Sequence, residues 1–162
     1  MDGLRVGWGF DAHRFGGPPP VLVGGVPIEH PRGVDATSDG DVAAHALTDA
    51  MLGAAALGDI GMHFPSTDPA WRDADSLEFV RESVRMAGEA GVEPIHVDVT
   101  VVAESLRIAP HREAIRRQLA GALGIEIAAV SVKATTTDGM GFVGRDEGIA
   151  AMAVLTARTI PT

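Results

Sequence analysis

Three side chains of types that bind metal ions are spaced so that they could meet in a folded chain. Asp11 and His13 are separated by one residue, so in an extended segment both side chains point to the same side. His45 lies in a later helical pattern, with Asp41 and Asp49 four residues before and after it on one helix face. Two imidazoles and one carboxylate with an open fourth position suit catalytic zinc, and Asp41 or Asp49 could orient His45. Taken alone, the Asp-x-His spacing is more typical of a capped turn followed by a surface histidine than of a metal site.

A second group of polar residues lies where a late strand gives way to a glycine-rich loop. Thr135, Thr136 and Thr137 precede Asp138, and Arg145 follows within the loop. Hydroxyl and backbone N–H groups can hold phosphate oxygens, a carboxylate suits Mg²⁺, and an arginine can pair with an anion. Threonines that favour a strand, followed by a flexible turn, would give the same sequence. The segment therefore indicates phosphate binding only in combination with the metal-binding residues.

The elements that must position these residues follow from hydrophobic periodicity. A strand is predicted at 4–10, and a hairpin at 21–28 that turns at Gly24 and Gly25. A helix is predicted that Ser38 caps, whose apolar residues repeat at helical spacing over 42–54 and which ends near Gly58. The backbone N–H groups at the start of this helix could also face an anion. The later predictions are a helix from 75 or 76 to 91, a strand at 95–103 with Ile95 on its apolar face, a helix at 110–123, and strands at 130–136 and 148–160. This order predicts an α+β fold with helices on one face of the sheet.

Length and composition limit the classes of protein. The 162 residues predict a single domain, 1–162. The chain has no cysteine, so thiolate zinc sites and disulfides are excluded and a cytoplasmic location is expected. The formal net charge of −9 argues against nucleic acid or an anionic membrane as a partner. Residues 1–20 contain no basic start followed by a long apolar run, which argues against a signal peptide, and no apolar run is long enough to predict a membrane span.

Four motifs in order closely resemble the 2-C-methyl-D-erythritol 2,4-cyclodiphosphate synthase family of the non-mevalonate isoprenoid pathway. They are Gly-Phe-Asp-x-His at 9–13, Ser-Asp-Gly-Asp-Val-x-x-His-Ala-Leu-x-Asp at 38–49, Gly-Asp-Ile-Gly at 58–61 and Lys-Ala-Thr-Thr-Thr at 133–137. The resemblance implies a homotrimer with active sites at the subunit interfaces, each subunit having a mainly four-stranded sheet plus a small hairpin, with the sheets packed around the trimer axis. It also implies a phosphorus-oxygen lyase that converts 4-diphosphocytidyl-2-C-methyl-D-erythritol 2-phosphate to the cyclic diphosphate and CMP.

The resemblance assigns roles to individual residues. It implies that Asp11, His13 and His45 bind one Zn²⁺ per subunit and that Asp138 binds Mg²⁺ or Mn²⁺ with the substrate diphosphate. Thr136 matches a position that stabilises the transition state. The substrate-binding residues that the resemblance implies are Ser38, Asp59, Gly61, Phe64, Asp68, Ala103, Leu106, Ile108, Ala109, Thr135, Thr137, Phe142 and Arg145.

The chain departs from the family pattern at several positions. Thr37 stands where the family usually has a histidine that helps to stabilise the reacting phosphates, so we expect weaker stabilisation there. Ser66 replaces a frequent aspartate, and the segment 104–107 lacks an expected proline. Asp146 stands where glycine is usual beside Arg145, near the trimer axis, and an additional carboxylate would disfavour an isoprenoid diphosphate there.

Two other functions fit the same residues. A zinc phosphohydrolase would use these ligands to activate a water molecule and would release inorganic phosphate. A metal-stapled trimeric binding module would use zinc to hold a loop to a helix, although structural zinc usually has four protein ligands and only three are apparent here.

Overall fold

A mixed five-stranded sheet forms the centre of the protein, in a computed structural model that describes residues 3–161. Its strands are β1 (Leu4–Gly17), β4 (Gly33–Val34), β5 (Val92–Val102), β6 (Val130–Thr135) and β7 (Gly148–Thr159), and β2 (Val21–Val23) and β3 (Val26–Ile28) form the predicted hairpin. The order in the sheet is β4-β1-β7-β5-β6, with β5 and β6 parallel and the other neighbours antiparallel. The four long strands match the prediction, while the two-residue β4 is additional. β1 continues past its expected end to Gly17, so Asp11 and His13 lie within the strand.

The helices are α1 (Val42–Ala54), α2 (Ile60–His63), α3 (Ser76–Glu89), α4 (Arg112–Leu123) and α5 (Gly141–Gly144). The three long helices were predicted, and they pack on one face of the sheet around the main hydrophobic core. The one-turn helices α2 and α5 fall in segments predicted as loops. Val143 of α5 packs against Val102 and Ala150 on the opposite face of the sheet, so the helices are not all on one side. Among the described residues, no helix is long and apolar enough to cross a membrane.

Close contact between α1 and β1 depends on two strand glycines. A Cβ atom at Gly7 would overlap the backbone oxygen of Ala50, and one at Gly9 would overlap that of Ala46. Because both positions lack a side chain, the alanine-rich face of α1 lies directly on the backbone of β1. This contact brings His45, the neighbour of Ala46, to the level of Asp11.

The first helix begins later than its predicted cap. Asp41, not Ser38, is the N-cap of α1 and accepts hydrogen bonds from two amides of the first turn. Its fully buried carboxylate also accepts from the backbone N–H groups of Gly24 at 2.8 Å and Gly25 at 2.6 Å. The prediction was wrong because these partners lie in the β2–β3 hairpin, far from the helix in sequence.

The apolar pattern predicted for β5 holds for Val97, Val99 and Val101 but not for Ile95. The pairing of β5 with β7 shifts register between Pro94 and His96, so the alternation changes phase there. Ile95 is therefore exposed while Pro94 is buried.

The sheet face opposite the long helices carries a patch of exposed apolar side chains on β1 and β7. Trp8 pairs across the strands with Val154, and Phe10 pairs with Met152. The large exposed apolar residues of this patch are Leu4, Val6, Trp8, Phe10 and Val154, and Trp8 is 61% exposed. A contiguous apolar patch of this kind is typical of a surface that another protein covers.

Candidate metal and substrate-binding site

Asp11, His13 and His45 converge at the contact between β1 and α1. The Asp11 Oδ2 atom lies 2.9 Å from His13 Nδ1 and 3.1 Å from His45 Nδ1. The candidate ligand atoms of the three residues lie within 4.8 Å of one another, which confirms that they could hold one metal ion. Asp11 and His13 reach this point because alternate residues of β1 share a face, and His45 because it lies one turn after the Asp41 cap.

The hydrogen bonding of the triad fits a cation better than a proton. His13 Nδ1 is buried and makes no hydrogen bond, although a carboxylate oxygen lies 2.9 Å away. The atoms are close, but their angle is not that of a hydrogen bond. A buried nitrogen without a partner costs free energy, and a metal ion between the two atoms would satisfy both. All three side chains remain partly accessible, which leaves room for a fourth ligand from outside the protein.

The ionisation of the triad also favours a cation. Burial alone would raise the pKa of Asp11, but the adjacent imidazoles of His13 and His45 outweigh it and leave this pKa lowered. Burial would lower the pKa of His45, but its hydrogen bond to Asp11 leaves that pKa raised. Asp11 is therefore an anion at neutral pH, and it attracts positive charge, whether a proton on His45 or a metal ion.

A serine at the start of α3 orients His45. The Nε2 atom lies 2.8 Å from Ser76 Oγ and 3.2 Å from Ser38 Oγ. Ser76 is fully buried and donates its hydroxyl hydrogen to Asp39, whose other carboxylate oxygen accepts from the Ser76 backbone N–H at 2.9 Å. Because the Ser76 hydrogen is used in this way, Ser76 Oγ accepts from His45 Nε2–H, which leaves Nδ1 for the metal side.

The sequence-based assignment of this orienting role was wrong. Asp41 caps the helix, and Asp49 Oδ1 accepts from the Ile60 backbone N–H at 2.7 Å, fixing the start of α2. The residues that take the role, Asp39 and Ser76, are 37 positions apart. Only the Ser-Asp sequence at 38–39 lay near the predicted site, and nothing in its spacing indicated a partner in α3.

A cavity of about 270 Å³ opens beside the triad. Four of the predicted site residues line it with the triad, namely Thr37, Ser38, Gly61 and Phe64. Ser66 lines it as well. Asp59 and Asp68 lie in the same region, but their carboxylates cap helical turns, accepting from Met62 N–H at 3.0 Å and Ala70 N–H at 2.9 Å. The segment 59–68 therefore combines lining residues with residues that hold its shape.

A second cavity, of about 410 Å³, lies at the ends of β5 and β6. These strands are parallel, so their carboxyl ends meet at one edge of the sheet. The predicted residues that line this cavity are Ala103, Leu106, Ile108, Ala109, Thr135 and Thr136. Its lining also includes Glu104, Ser105, Arg107 and Ala134, so the whole segment 103–109 faces it.

The remaining predicted residues lie in and beside the loop after β6. Asp138 is exposed, and its backbone N–H donates to Thr136 Oγ1 at 3.3 Å. Thr137 donates to the Met140 oxygen at 2.6 Å, so it holds the loop. Phe142 lines a third cavity, of about 260 Å³, to which His13 also contributes. Arg145 pairs with Glu147 at 2.9 Å.

The first two cavities are separated by the width of the sheet. Asp11 pairs with Ala151, which pairs with Val101, which pairs with Ala134. Three strand spacings, roughly 14 Å, therefore lie between the triad and the edge of the second cavity. One chain thus carries two candidate half-sites, one with the three candidate metal ligands and one with threonine hydroxyls.

The fold and the triad define a protein with a candidate metal-binding site that is open to a further ligand. The sequence profile of the YgbB family matches residues 4–158, and the chain belongs to this family. The chain is 53% identical over 151 residues to the 2-C-methyl-D-erythritol 2,4-cyclodiphosphate synthase of Symbiobacterium thermophilum, covering 93% of this chain and 96% of that protein. It is 51% identical over 152 residues to the synthase of Shewanella halifaxensis, covering 94% and 96% of the two chains.

Solved structures agree with this assignment. The bifunctional IspDF from Campylobacter jejuni superposes with a TM-score of 0.95 at 40% identity, and the match covers 99% of this chain and 43% of that longer one. A 2C-methyl-D-erythritol-2,4-cyclodiphosphate synthase described as a CDP-bound form superposes with a TM-score of 0.85 at 35% identity, covering 93% and 98% of the two chains. The family resemblance found in the sequence motifs is thus confirmed over nearly the whole chain.

Proposed function

We propose that this protein converts 4-diphosphocytidyl-2-C-methyl-D-erythritol 2-phosphate to 2-C-methyl-D-erythritol 2,4-cyclodiphosphate and CMP, in the cytoplasm and within the non-mevalonate isoprenoid pathway. An oxygen of the 2-phosphate attacks the β phosphorus of the diphosphate. The bond from that phosphorus to the oxygen bridging to CMP breaks, and CMP leaves with this oxygen. The observation that carries the proposal is the metal-binding triad beside the cavity lined by Thr37 and Ser38, in a chain about half identical to named synthases.

The triad would hold Zn²⁺ through Asp11, His13 and His45, with a substrate phosphate oxygen as the fourth ligand. Asp138 would hold Mg²⁺ or Mn²⁺ with the diphosphate. When bound, these cations neutralise phosphate charge, which an intramolecular phosphoryl transfer needs more than a strong protein base. The side chains themselves fix where the phosphates lie.

The second half-site would bind the nucleotide end of the substrate. Its cavity is lined mainly by small and apolar residues and by backbone of 103–109, so cytidine would be recognised by shape and main-chain groups. Thr136 lies at its edge and could donate a hydrogen bond to charge that develops on the transferred phosphoryl group. Thr135 and Thr137 flank it, and Phe142 and Arg145 would contact the substrate from the following loop.

A homotrimer would bring the two half-sites together. The reacting phosphorus atoms must lie near both the triad and Thr136, yet in one chain these half-sites are three strand spacings apart. The exposed apolar patch on β1 and β7 offers the surface for association, with the sheets of three subunits packed around an axis. Each active site would then combine the metal-binding half-site of one subunit with the nucleotide-binding half-site of its neighbour.

The Trp8→Asp variant tests the trimer. It places a charge in the centre of the patch and should give monomers without cyclase activity, measured by light scattering after size-exclusion chromatography. Ala128→Asp, at an exposed position away from the patch, is the control and should remain trimeric. A wild-type protein that is monomeric and active would contradict the shared site.

The activity is tested by incubating purified protein with the proposed substrate, zinc and magnesium, and following the products by phosphorus NMR. Cyclic diphosphate signals with one equivalent of CMP, lost on chelation and restored by zinc, are the expected result. Inorganic phosphate without a cyclic product would indicate a phosphohydrolase. Unchanged substrate with retained CDP binding would indicate a metal-stapled binding module.

A further inference from the structure

Asp146 links the loop after α5 to two other segments of the chain. Its Oδ1 atom accepts a hydrogen bond from Ser105 Oγ at 2.7 Å, and its Oδ2 atom pairs with the guanidinium of Arg32. Its backbone oxygen also accepts from Arg32 Nη1 at 3.1 Å. The carboxylate is thus neutralised and bonded on both oxygens, so it is not the free negative charge that the sequence suggested.

This network is anchored on the end of β1. Ser105 has one hydroxyl hydrogen, which it donates to Asp146, so His30 Nε2–H donates to Ser105 Oγ, 2.9 Å away. The His30 ring stacks on Phe15 at 4.7 Å between ring centres, and the Arg32 guanidinium lies 4.6 Å from the centre of the same ring. Because Phe15 is buried, it holds the side chains of His30 and Arg32 in place.

The backbone conformation of Asp146 is unfavourable for a residue with a side chain, and the bonds of its carboxylate offset this cost in free energy. Its φ angle is +56°, in the left-handed region that favours glycine and that aspartate tolerates better than most residues. Glycine at 146 would relieve this cost and remove the side-chain bonds to Ser105 and Arg32. The two effects of such a change on stability therefore oppose each other, which makes the position suitable for a test.

Ser105 connects the network to the second cavity, the proposed nucleotide site, because it lines this cavity within the segment 103–109. Leu106 and Ile108 hold the segment by burial, whereas Ser105 and its neighbour Glu104 are exposed. The bond to Asp146 thus fixes a part of the segment that burial does not fix. A binding loop that is ordered beforehand loses less entropy when its ligand binds.

We propose that Asp146 is a positioning residue that fixes the segment 103–109 through Ser105 and so increases affinity for a cytidine nucleotide. The proposal rests on the proposed function, since it needs the cavity to bind the nucleotide end of the substrate. Asp146 does not touch the ligand in this account. Its effect appears in binding and KM, not in the chemical step.

The test measures CDP binding by isothermal titration calorimetry, and kcat and KM for the cyclase reaction, in wild type, four single variants and one double variant. Asp146→Gly and Ser105→Ala should each raise the Kd for CDP about threefold to tenfold, the usual effect of a hydrogen bond of this kind. Asp146→Asn keeps an acceptor for Ser105 and should lie between them and wild type. Glu89→Gln removes a surface carboxylate that pairs with Arg85 at the end of α3 and should change nothing.

Two further readouts separate positioning from a general loss of structure. The double variant Asp146→Gly/Ser105→Ala should bind CDP no more weakly than the weaker single variant, because both changes break one route. In Asp146→Gly, kcat should stay within about twofold and Tm should change little, since relief of the backbone cost offsets the loss of the side-chain bonds. A fall in kcat together with a fall in Tm, or additive effects in the double variant, would overturn the proposal.

The proposal and the proposed function fail in different ways. If wild type binds CDP and forms the cyclic product but Asp146→Gly has an unchanged Kd and KM, only the positioning role is wrong. If wild type neither binds CDP nor forms the cyclic product, the proposed function itself is wrong, and the positioning role is wrong with it.

Discussion

His45 and Ser76 are joined by a 2.8 Å hydrogen bond between Nε2 and Oγ, and this bond fixes which nitrogen of His45 faces the metal side. The imidazole belongs to α1 and the serine to the first turn of α3. Asp39 accepts the serine hydrogen, so the carboxylate, the hydroxyl and the imidazole form a chain that ends at the triad. The start of α3 is therefore a part of the candidate metal-binding site, although it contributes no candidate ligand.

Replacing Ser76 by alanine should weaken zinc binding without removing a ligand. The His45 ring would lose the bond that fixes its orientation, and such changes usually lower metal affinity about tenfold to hundredfold. The measurement is zinc competition against a chromophoric chelator. Ser83→Ala is the matched control, because Ser83 is also fully buried in α3 but donates to the Val80 oxygen. An equal loss of affinity in both variants would show that the effect comes from the helix and not from the bond to His45.

The meeting of the three candidate ligands was predictable, whereas the residues that orient His45 were not. Asp11 and His13 share a strand face and His45 a helix face, and such local periodicities can be read directly from the sequence. The family resemblance then indicated that the two faces meet. Ser76 acts on His45 from 31 positions away, and no local pattern encodes that contact.

The same difference explains the outcome for the fold. The long strands and helices were predicted because each repeats an apolar period over many residues. The one-turn helices α2 and α5 are too short to show a period, and α2 begins where Asp49, a residue of α1, accepts the Ile60 amide. Ile95 was misplaced because the register shift beside it depends on pairing with β7. Each error involves a partner distant in sequence.

The stability of the protein without metal should depend on pH through Asp11 and His45. The pKa of Asp11 is lowered, so its contribution is present above its ordinary value of about 3.9 and is lost as the pH falls. The pKa of His45 is raised, so its contribution is present below about 6.5 and is lost as the pH rises through the raised value. The pair therefore stabilises the metal-free protein most between about pH 4 and 6.5.

Zinc should have the opposite pH dependence, because it binds only the neutral imidazole. The increase in Tm on adding zinc should grow from about pH 6 to about pH 8, as His45 loses its proton. Asp11→Asn removes the partner that raises the pKa of His45. The metal-free protein should therefore lose less stability above about pH 6.5 in this variant than in wild type. A zinc-dependent increase that is the same at both pH values would contradict this coupling.

Thr37→His should increase kcat if the missing imidazole limits the reaction. Thr37 lines the metal cavity and is exposed, so a larger side chain fits there without being buried. Its backbone oxygen accepts from the Asp73 N–H at 3.1 Å, which holds the loop independently of the side chain. A cationic donor beside the reacting phosphates should raise kcat by about threefold or more, measured by CMP release under saturating substrate. Thr37→Gln is the control, because glutamine has a similar length but no charge. An equal increase in kcat in both variants, or no increase with histidine, would rule out a role for the charge.

Gly9→Ala should weaken both the fold and the metal-binding site, because Gly9 sets the distance between β1 and α1. An added Cβ atom would overlap the Ala46 backbone oxygen, so α1 must move away from the strand. We expect a loss of about 3 kcal/mol in the free energy of unfolding, measured with urea, which is the upper part of the usual range for overpacking. Because His45 adjoins Ala46 and Asp11 lies two residues after Gly9, the same movement should separate the ligands and lower zinc affinity about tenfold.

Gly53→Ala is the matched control for this change. Gly53 lies in the same helix with no atom within 4 Å of an added Cβ, so alanine should stabilise the helix by about 0.5 to 1 kcal/mol and leave zinc affinity unchanged. If Gly9→Ala lost stability but kept its zinc affinity, the triad would tolerate displacement of α1, and its geometry would depend on the Ser76 bond more than on the glycine contact. If Gly9→Ala lost both stability and zinc affinity while Gly53→Ala lost neither, the close contact of Gly9 with Ala46 would be what positions both α1 and His45.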